Sequence, residues 1–144
     1  MQVLQNWDIS KSREIDTLSA EASPAQLARA ADEMDCRSVA FTYYDPTIFW
    51  EYAADVADAC HERGLRAVAV TAGYMCPQPR AEFYRHVDAA NVDLKAFTED
   101  FYHRERAGHL ADVLYTLVYQ RQKPTSGWRS PRCSFPGRTT LTPK

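Results

Sequence analysis

Three short runs centred near positions 40, 68 and 93, separated by helix-patterned stretches, confine this chain to few folds. Ser38-Val39-Ala40-Phe41-Thr42-Tyr43, Arg66-Ala67-Val68-Ala69-Val70-Thr71 and Asn91-Val92-Asp93-Leu94-Lys95-Ala96 read as strands, rich in β-branched and aromatic residues or alternating in polarity. Strands joined through a crossover helix pair in parallel, because a tight turn can only link antiparallel neighbours. The fold class is therefore α/β, built from parallel βα units. Three units make part of a barrel or part of a doubly wound sheet, and periodicity does not choose between them.

The helices carry their own punctuation. Ser23 is a suitable N-cap, Pro24 suits the first helical position, and Gln26 completes a capping box ahead of Leu27, Ala30, Ala31 and Met34. After Asp45-Pro46, the residues Phe49, Tyr52, Ala53, Val56, Ala57 and Cys60 trace one helical face, which Gly64 stops. Gly73, Pro77 and Pro79 punctuate a loop, and a short helix follows through Phe83, Tyr84 and Val87. A last helix spans 110–119, with Leu110, Val113, Leu114, Leu117 and Val118 as its expected buried side.

A chain of 144 residues suits one domain. All six charged residues from 120 to 144 (Arg121, Lys123, Arg129, Arg132, Arg138, Lys144) are basic, so residues 1–119 hold the other 11 bases and all 19 acids. Four of the eight prolines also fall there, so the expected division is a core over 1–119 and an irregular basic tail over 120–144. Such a tail suits nucleic acid, a membrane surface or a disordered end, but no recognition motif accompanies it and no nucleic-acid partner is expected. The N-terminus is polar by its fifth residue and no apolar run approaches the ~20 residues that span a bilayer, so a cytoplasmic protein without a membrane partner is expected. Cys36, Cys60, Cys76 and Cys133 lack metal-ligand spacing, and Cys36 and Cys60 are expected as buried or inert thiols.

Ligand sites in parallel α/β folds gather at the carboxyl ends of strands. Three places fit. In Thr42-Tyr43-Tyr44-Asp45-Pro46 the acid either pairs with a ligand ammonium or caps the helix that follows. Thr71-Ala72-Gly73-Tyr74 is either a ligand-approaching turn or an ordinary strand end. Alternation puts Asp93 and Lys95 on one face of a strand taken as covered on both sides, where charges pair with each other or with a ligand. His61 and His86 are expected on helix surfaces, and His103 and His109 are not spaced as metal ligands. Glu99, Asp100, Arg104, Glu105 and Arg106 are expected in a solvated loop.

Taken together, Gln5-Asn6-Trp7, Tyr44-Asp45-Pro46, Thr71-Ala72-Gly73-Tyr74 and Asn91-Val92-Asp93-Leu94-Lys95 resemble the radical S-adenosylmethionine enzymes of the AmmeMemoRadiSam system, which are similar to pyruvate formate-lyase activating enzymes. The resemblance spans residues 5–119. It implies an incomplete six-unit βα barrel, of which this chain holds the second to fourth strands. It also implies two cofactors, S-adenosylmethionine and a 4Fe–4S cluster, and in an intact relative a 5′-deoxyadenosyl radical acting on a substrate that can be a protein. The residues implied to hold S-adenosylmethionine are Tyr44, Asp45, Thr71, Asp93 and Lys95. Asp45 would receive its amino group, and Asp93 and Lys95 would lie at its carboxylate.

The resemblance also marks departures. Tyr44 and Ala72 each stand where the family has asparagine, and Met1 and Leu4 stand where it has cluster cysteines. Neither side chain supplies a thiolate, so no metal ligand and no catalytic residue is assigned, and the chain as written is expected to be inactive. Back-translated and read from its third base, Thr125–Gly137 gives Val-Trp-Leu-Glu-Ile-Thr-Thr-Leu-Leu-Ile-Pro-Gly, a strand-like string, so a frameshift near Tyr119 is expected. One restored base near the start similarly gives Cys-Arg-Ser-Cys before Gln5. A degenerate, non-catalytic α/β fragment is the alternative.

Overall fold

The structure, a computed structural model, describes residues 21–122. The expectations for Met1, Leu4, Gln5-Asn6-Trp7, Cys133 and residues 123–144 lie outside that span. Helix α1 (Pro24–Glu33) leads to β1 (Ser38–Phe41), a 3-10 turn (Pro46–Phe49) and α2 (Trp50–His61). Strand β2 (Arg66–Thr71), α3 (Pro77–His86), β3 (Ala89–Val92), α4 (Glu99–Arg106) and α5 (Leu110–Gln122) complete it. The strands form one parallel sheet in the order β1-β2-β3, with Ser38 opposite Arg66 and Val68 opposite Ala89. No helix among the described residues is long and apolar enough to cross a membrane.

Local chemistry accounts for the element ends. The Ser23 hydroxyl accepts from the Gln26 N–H at 3.3 Å while Gln26 Oε1 accepts from the Ser23 N–H at 2.8 Å, closing the capping box that opens α1. Gly64, after α2, sits at φ +73°, a left-handed turn open to glycine without strain. The main core lies on one face of the sheet, where Ala53, Val56, Ala57 and Cys60 of α2 meet Phe41, Ala67, Ala69 and Ala90, with Phe83 and Tyr84 of α3 beside them. Small residues on β2 let α2 approach closely. Burial of the Cys60 thiol pushes its pKa up, as expected of an inert core cysteine, whereas Cys36 is half-buried and Cys76 exposed. A second cluster joins Val92 and Leu94 to Tyr102 and Val113.

Several expectations are corrected. β1 stops at Phe41 instead of Tyr43, because Tyr43 turns left-handed at φ +72°. β3 covers Ala89–Val92 rather than 91–96: its start is fixed by pairing with Val68, and a tight Leu94 N–H to Val92 carbonyl contact at 3.1 Å ends it. Among the described residues only one face of the sheet is well covered, since Ala40 is exposed and Val68, Val70 and Asn91 on the other face are only half-buried. The charged run 99–106 is a helix, not a loop. Thr98 caps it, Glu99 and Asp100 occupy its first turn, Arg106 its last, and Asp100 pairs with Arg104 at 2.9 Å, all of which complement the helix dipole. α5 buries Val113, Thr116 and Gln120, leaving Leu114 and Val118 exposed, because Thr116 is small enough to pack at Gly73. It also runs past the expected boundary at 119, and Gln120 belongs to the interior.

Asp88 locks the opposite end of the sheet. Its carboxylate accepts from the Ala67 N–H at 2.7 Å, meets His61 Nε2 at 2.8 Å and lies 3.8 Å from Arg66. Burial alone would raise its pKa, but these three donors outweigh burial and hold it below the ordinary 3.8. A depressed carboxylate contributes its stability above the ordinary carboxylate range and loses it as pH falls through the folded value. Asp88→Asn is therefore expected to flatten the loss of stability below about pH 4, read from urea midpoints across an acid series.

Gly73 offers a sharper packing test. It sits at φ +73°, and a Cβ there would lie 2.7 Å from Val92 Cγ1. Gly73→Ala is expected to cost about 2–4 kcal/mol, combining backbone strain with overpacking. Gly64→Ala is the control, because it shares the φ of +73° but meets nothing within 4 Å, and about 1 kcal/mol is expected there. Equal losses in urea unfolding at the two sites would rule out the Val92 contact as the cause.

Candidate functional site

The loop after β1 leaves the sheet through Tyr43 and reaches Asp45, whose backbone is extended at φ −65° and ψ 120°. Pro46 follows at the first position of the 3-10 turn, and Asp45 Oδ1 accepts from the Thr47 N–H at 3.1 Å. The expected capping role is therefore present. The same carboxylate also reaches across to β2, accepting from Thr71 Oγ1 at 2.9 and 3.0 Å and from the Ala72 N–H at 2.8 Å. Thr71 Oγ1 in turn accepts from the Gly73 N–H at 3.0 Å. One carboxylate thus fixes the ends of two adjacent strands.

Beyond β3, Asp93 and Lys95 share a face although they lie past the strand. Lys95 Nζ donates to Asp93 Oδ2 at 2.8 Å and Asn91 Nδ2 donates to Asp93 Oδ1 at 2.9 Å. The mutual ion pair is thus formed, with both side chains about a quarter exposed. Asp93 N–H donates to the Thr71 carbonyl at 2.8 Å, which carries the sheet's pairing one residue past β3. The Lys95 N–H donates to Tyr102 Oη at 3.0 Å, anchoring this segment on α4.

Tyr44, Asp45, Thr71, Asp93 and Lys95 all line one cleft of about 340 Å³. It opens at the carboxyl ends of β1, β2 and β3 on the less covered face of the sheet. Asp45, after β1, and Asp93 and Lys95, after β3, give it two acids and one base, and since Asp93 pairs with Lys95, Asp45 and the remaining Lys95 donors are an arrangement suited to a zwitterion. A neighbouring cavity of about 320 Å³ shares Lys95 and adds Tyr102 and Arg106. The second cavity is the more apolar, so the pair can receive a ligand with one charged and one apolar end.

Among the described residues no group of three or more histidine, cysteine or acidic side chains is placed to hold a metal ion. Cys60 is sealed in the α2 core and Cys76 lies exposed at the start of α3. His61 and His86 stand at helix surfaces as expected, each 2.8 Å from an aspartate, Asp88 and Asp58 respectively. His103 and His109 come within 6.4 Å ring to ring, and His109 is tied to Glu99 at 2.7 Å.

Three polar residues that sequence reasoning did not single out are buried between α3 and α5. The Tyr84 hydroxyl, both amide atoms of Gln120 and Arg80 Nε have no hydrogen-bond partner among the described residues. Burial pushes the Tyr84 phenol well above its ordinary range. The i, i+4 spacing of Arg80 and Tyr84 is the only signal for them in the sequence, and it reads equally as an ordinary helix.

No family model matches the chain. It is similar to uncharacterized protein MJ0808 of Methanocaldococcus jannaschii, with 31% identity over 112 residues that make up 78% of this chain and 33% of that protein. The chain therefore spans about a third of the length of the curated relative it matches.

The Asp45 to Thr71 link is testable as a unit. Asp45→Asn places an amide against the Ala72 N–H, and Thr71→Val leaves the Gly73 N–H unpaired, so each is expected to cost about 1–3 kcal/mol. A double-mutant cycle in urea unfolding is expected to return a coupling of about 1 kcal/mol or more, and strict additivity would show that the two side chains act independently.

Proposed function

We propose that this chain is part of a radical S-adenosylmethionine enzyme of the AmmeMemoRadiSam type, and that its strand-end cleft receives the amino-acid moiety of S-adenosylmethionine. One observation carries the reading. Tyr44, Asp45, Thr71, Asp93 and Lys95, which the resemblance selects from three separate segments, line a single cleft. In this reading the three parallel strands are the second to fourth of an incomplete six-unit barrel, and the whole enzyme's substrate lies beyond what this chain provides.

The residues fit the cofactor's charged end. Asp45 already accepts from Thr47, Ala72 and the single Thr71 hydroxyl hydrogen, which lies near both carboxylate oxygens, so an ammonium takes the fourth of about four acceptor positions once that hydroxyl settles on one oxygen. Lys95 gives one donor to Asp93 and keeps others for a ligand carboxylate. S-adenosylmethionine supplies the bond that is cleaved to make the radical, given an electron. The described residues do not fit the cluster that would deliver that electron, since they hold no triad of thiolates and the family's cysteine positions carry Met1 and Leu4. We therefore assign this chain cofactor binding without cleavage.

A second reading has its own support. The same bonds close the cleft's walls with no ligand present, which suits a non-catalytic fragment whose polar residues only hold loops. Calorimetry with S-adenosylmethionine on the full chain separates the two. Saturable binding is expected, weakened about tenfold, or ~1.4 kcal/mol, by Lys95→Met. Wild-type protein that binds neither S-adenosylmethionine nor S-adenosylhomocysteine would leave only the structural role.

A further inference from the structure

Arg80 is the most deeply buried cation described, at 7% exposure, and it is poorly matched. Its Nη2 donates to the Met75 carbonyl at 2.9 Å, its Nε has no acceptor, and it forms no ion pair with a described carboxylate. A guanidinium cannot shed its proton, so a buried one calls for an anion. It lines a cavity of about 450 Å³ together with Tyr74, Met75, Cys76, Asp112 and Tyr115. This space is distinct from the strand-end cleft and shares none of its lining residues.

The rest of the lining narrows what fits. Pro77 and Pro79 leave the opening turn of α3 short of N–H donors, so the guanidinium and not the helix terminus is the attraction for an anion. Met75 and the rings of Tyr74 and Tyr115 present apolar surface around it. Asp112 is the only acid among the described residues of the wall, and after burial it is the next cause that pushes the Tyr74 phenol up, which places it beside Tyr74. A dianion would meet that repulsion twice over, whereas a single carboxylate on an apolar body matches one cation set among rings.

We infer that the cavity beside α3 is a binding site for a small organic monocarboxylate, with Arg80 pairing its carboxylate and Met75, Tyr74 and Tyr115 packing its body. This holds whether or not the strand-end cleft takes S-adenosylmethionine.

Cys76 is exposed and lines the same space, which provides a local reporter. Its sulfur displaces iodide from iodoacetate or iodoacetamide: an S–C bond forms, the C–I bond breaks, and the thiol proton passes to buffer. Alkylation of each cysteine is followed by peptide mass spectrometry on the full chain. The iodoacetate-to-iodoacetamide rate ratio at Cys76 is expected to fall about tenfold in Arg80→Gln and to be largely kept in Arg80→Lys. Benzoate should slow iodoacetate at Cys76 but not at Cys36, and benzamide should not. Buried Cys60 reports folding, and if Arg80→Gln exposes it, Arg80→Lys and benzoate protection of the wild type decide. An unchanged ratio in folded Arg80→Gln, no protection by benzoate, or inorganic phosphate protecting as well as benzoate would each overturn the assignment.

Discussion

The carboxylate of Asp45 couples two βα loops that the backbone alone would leave independent. It caps the 3-10 turn after β1 through Thr47 and holds the end of β2 through Thr71 and Ala72. Thr71 passes the constraint to Gly73, whose left-handed backbone lets Val92, Val113 and Thr116 close in around it. A chain of contacts therefore runs from the first strand to the last helix through one acid. Each link is a hydrogen bond or a close apolar contact that depends on the geometry before it, so displacing Asp45 moves the floor of the cleft as well as its wall.

How much of this was legible in the sequence depended on whether the deciding contact was local. β2 matched its expected bounds because Gly64 and Gly73 bracket a strongly β-patterned run. β3 did not, since Ala89 and Ala90 are weak strand formers and only pairing with Val68 and Ala69 makes them a strand. The charged run from Glu99 to Arg106 looked like solvent-facing loop because it has few apolar residues. Its helix rests on the Thr98 cap and on the order of its charges. On α5, apolar residues are spread around the axis, and the choice of Thr116 over Leu114 is made by Gly73 across the interface.

The grouping of the strand-end residues was more legible than the packing. Acids and bases at strand ends are few, and parallel topology alone brings the ends of β1, β2 and β3 to one side. Asp45, Thr71, Asp93 and Lys95 were accessible to that argument before any contact was known. Tyr102 was not, because its link to the Lys95 backbone depends on how α4 folds back. Arg80 and Gln120 were hidden for another reason. Arg80 reads as helix surface and Gln120 fell in the expected tail, and only the tertiary structure places both inside, next to Tyr84.

The two polar regions differ in how their burial is balanced, and that difference decides what each can do. Around Asp45 and Lys95 the charged groups meet donors and acceptors supplied by the fold, so the cleft is ordered before any ligand arrives. Ordering in advance lowers the entropic cost of binding, and spare acceptor and donor positions set the polarity a ligand must have. Around Arg80 the described residues supply one carbonyl and leave a buried cation without a carboxylate partner. An unmatched buried charge weakens the fold by itself, and an anion that pairs with it stabilises the folded chain by mass action. The strand-end cleft is thus held in place by its own bonds, while the cavity beside α3 is the part of the molecule whose stability stands to gain most from an anion that pairs with Arg80.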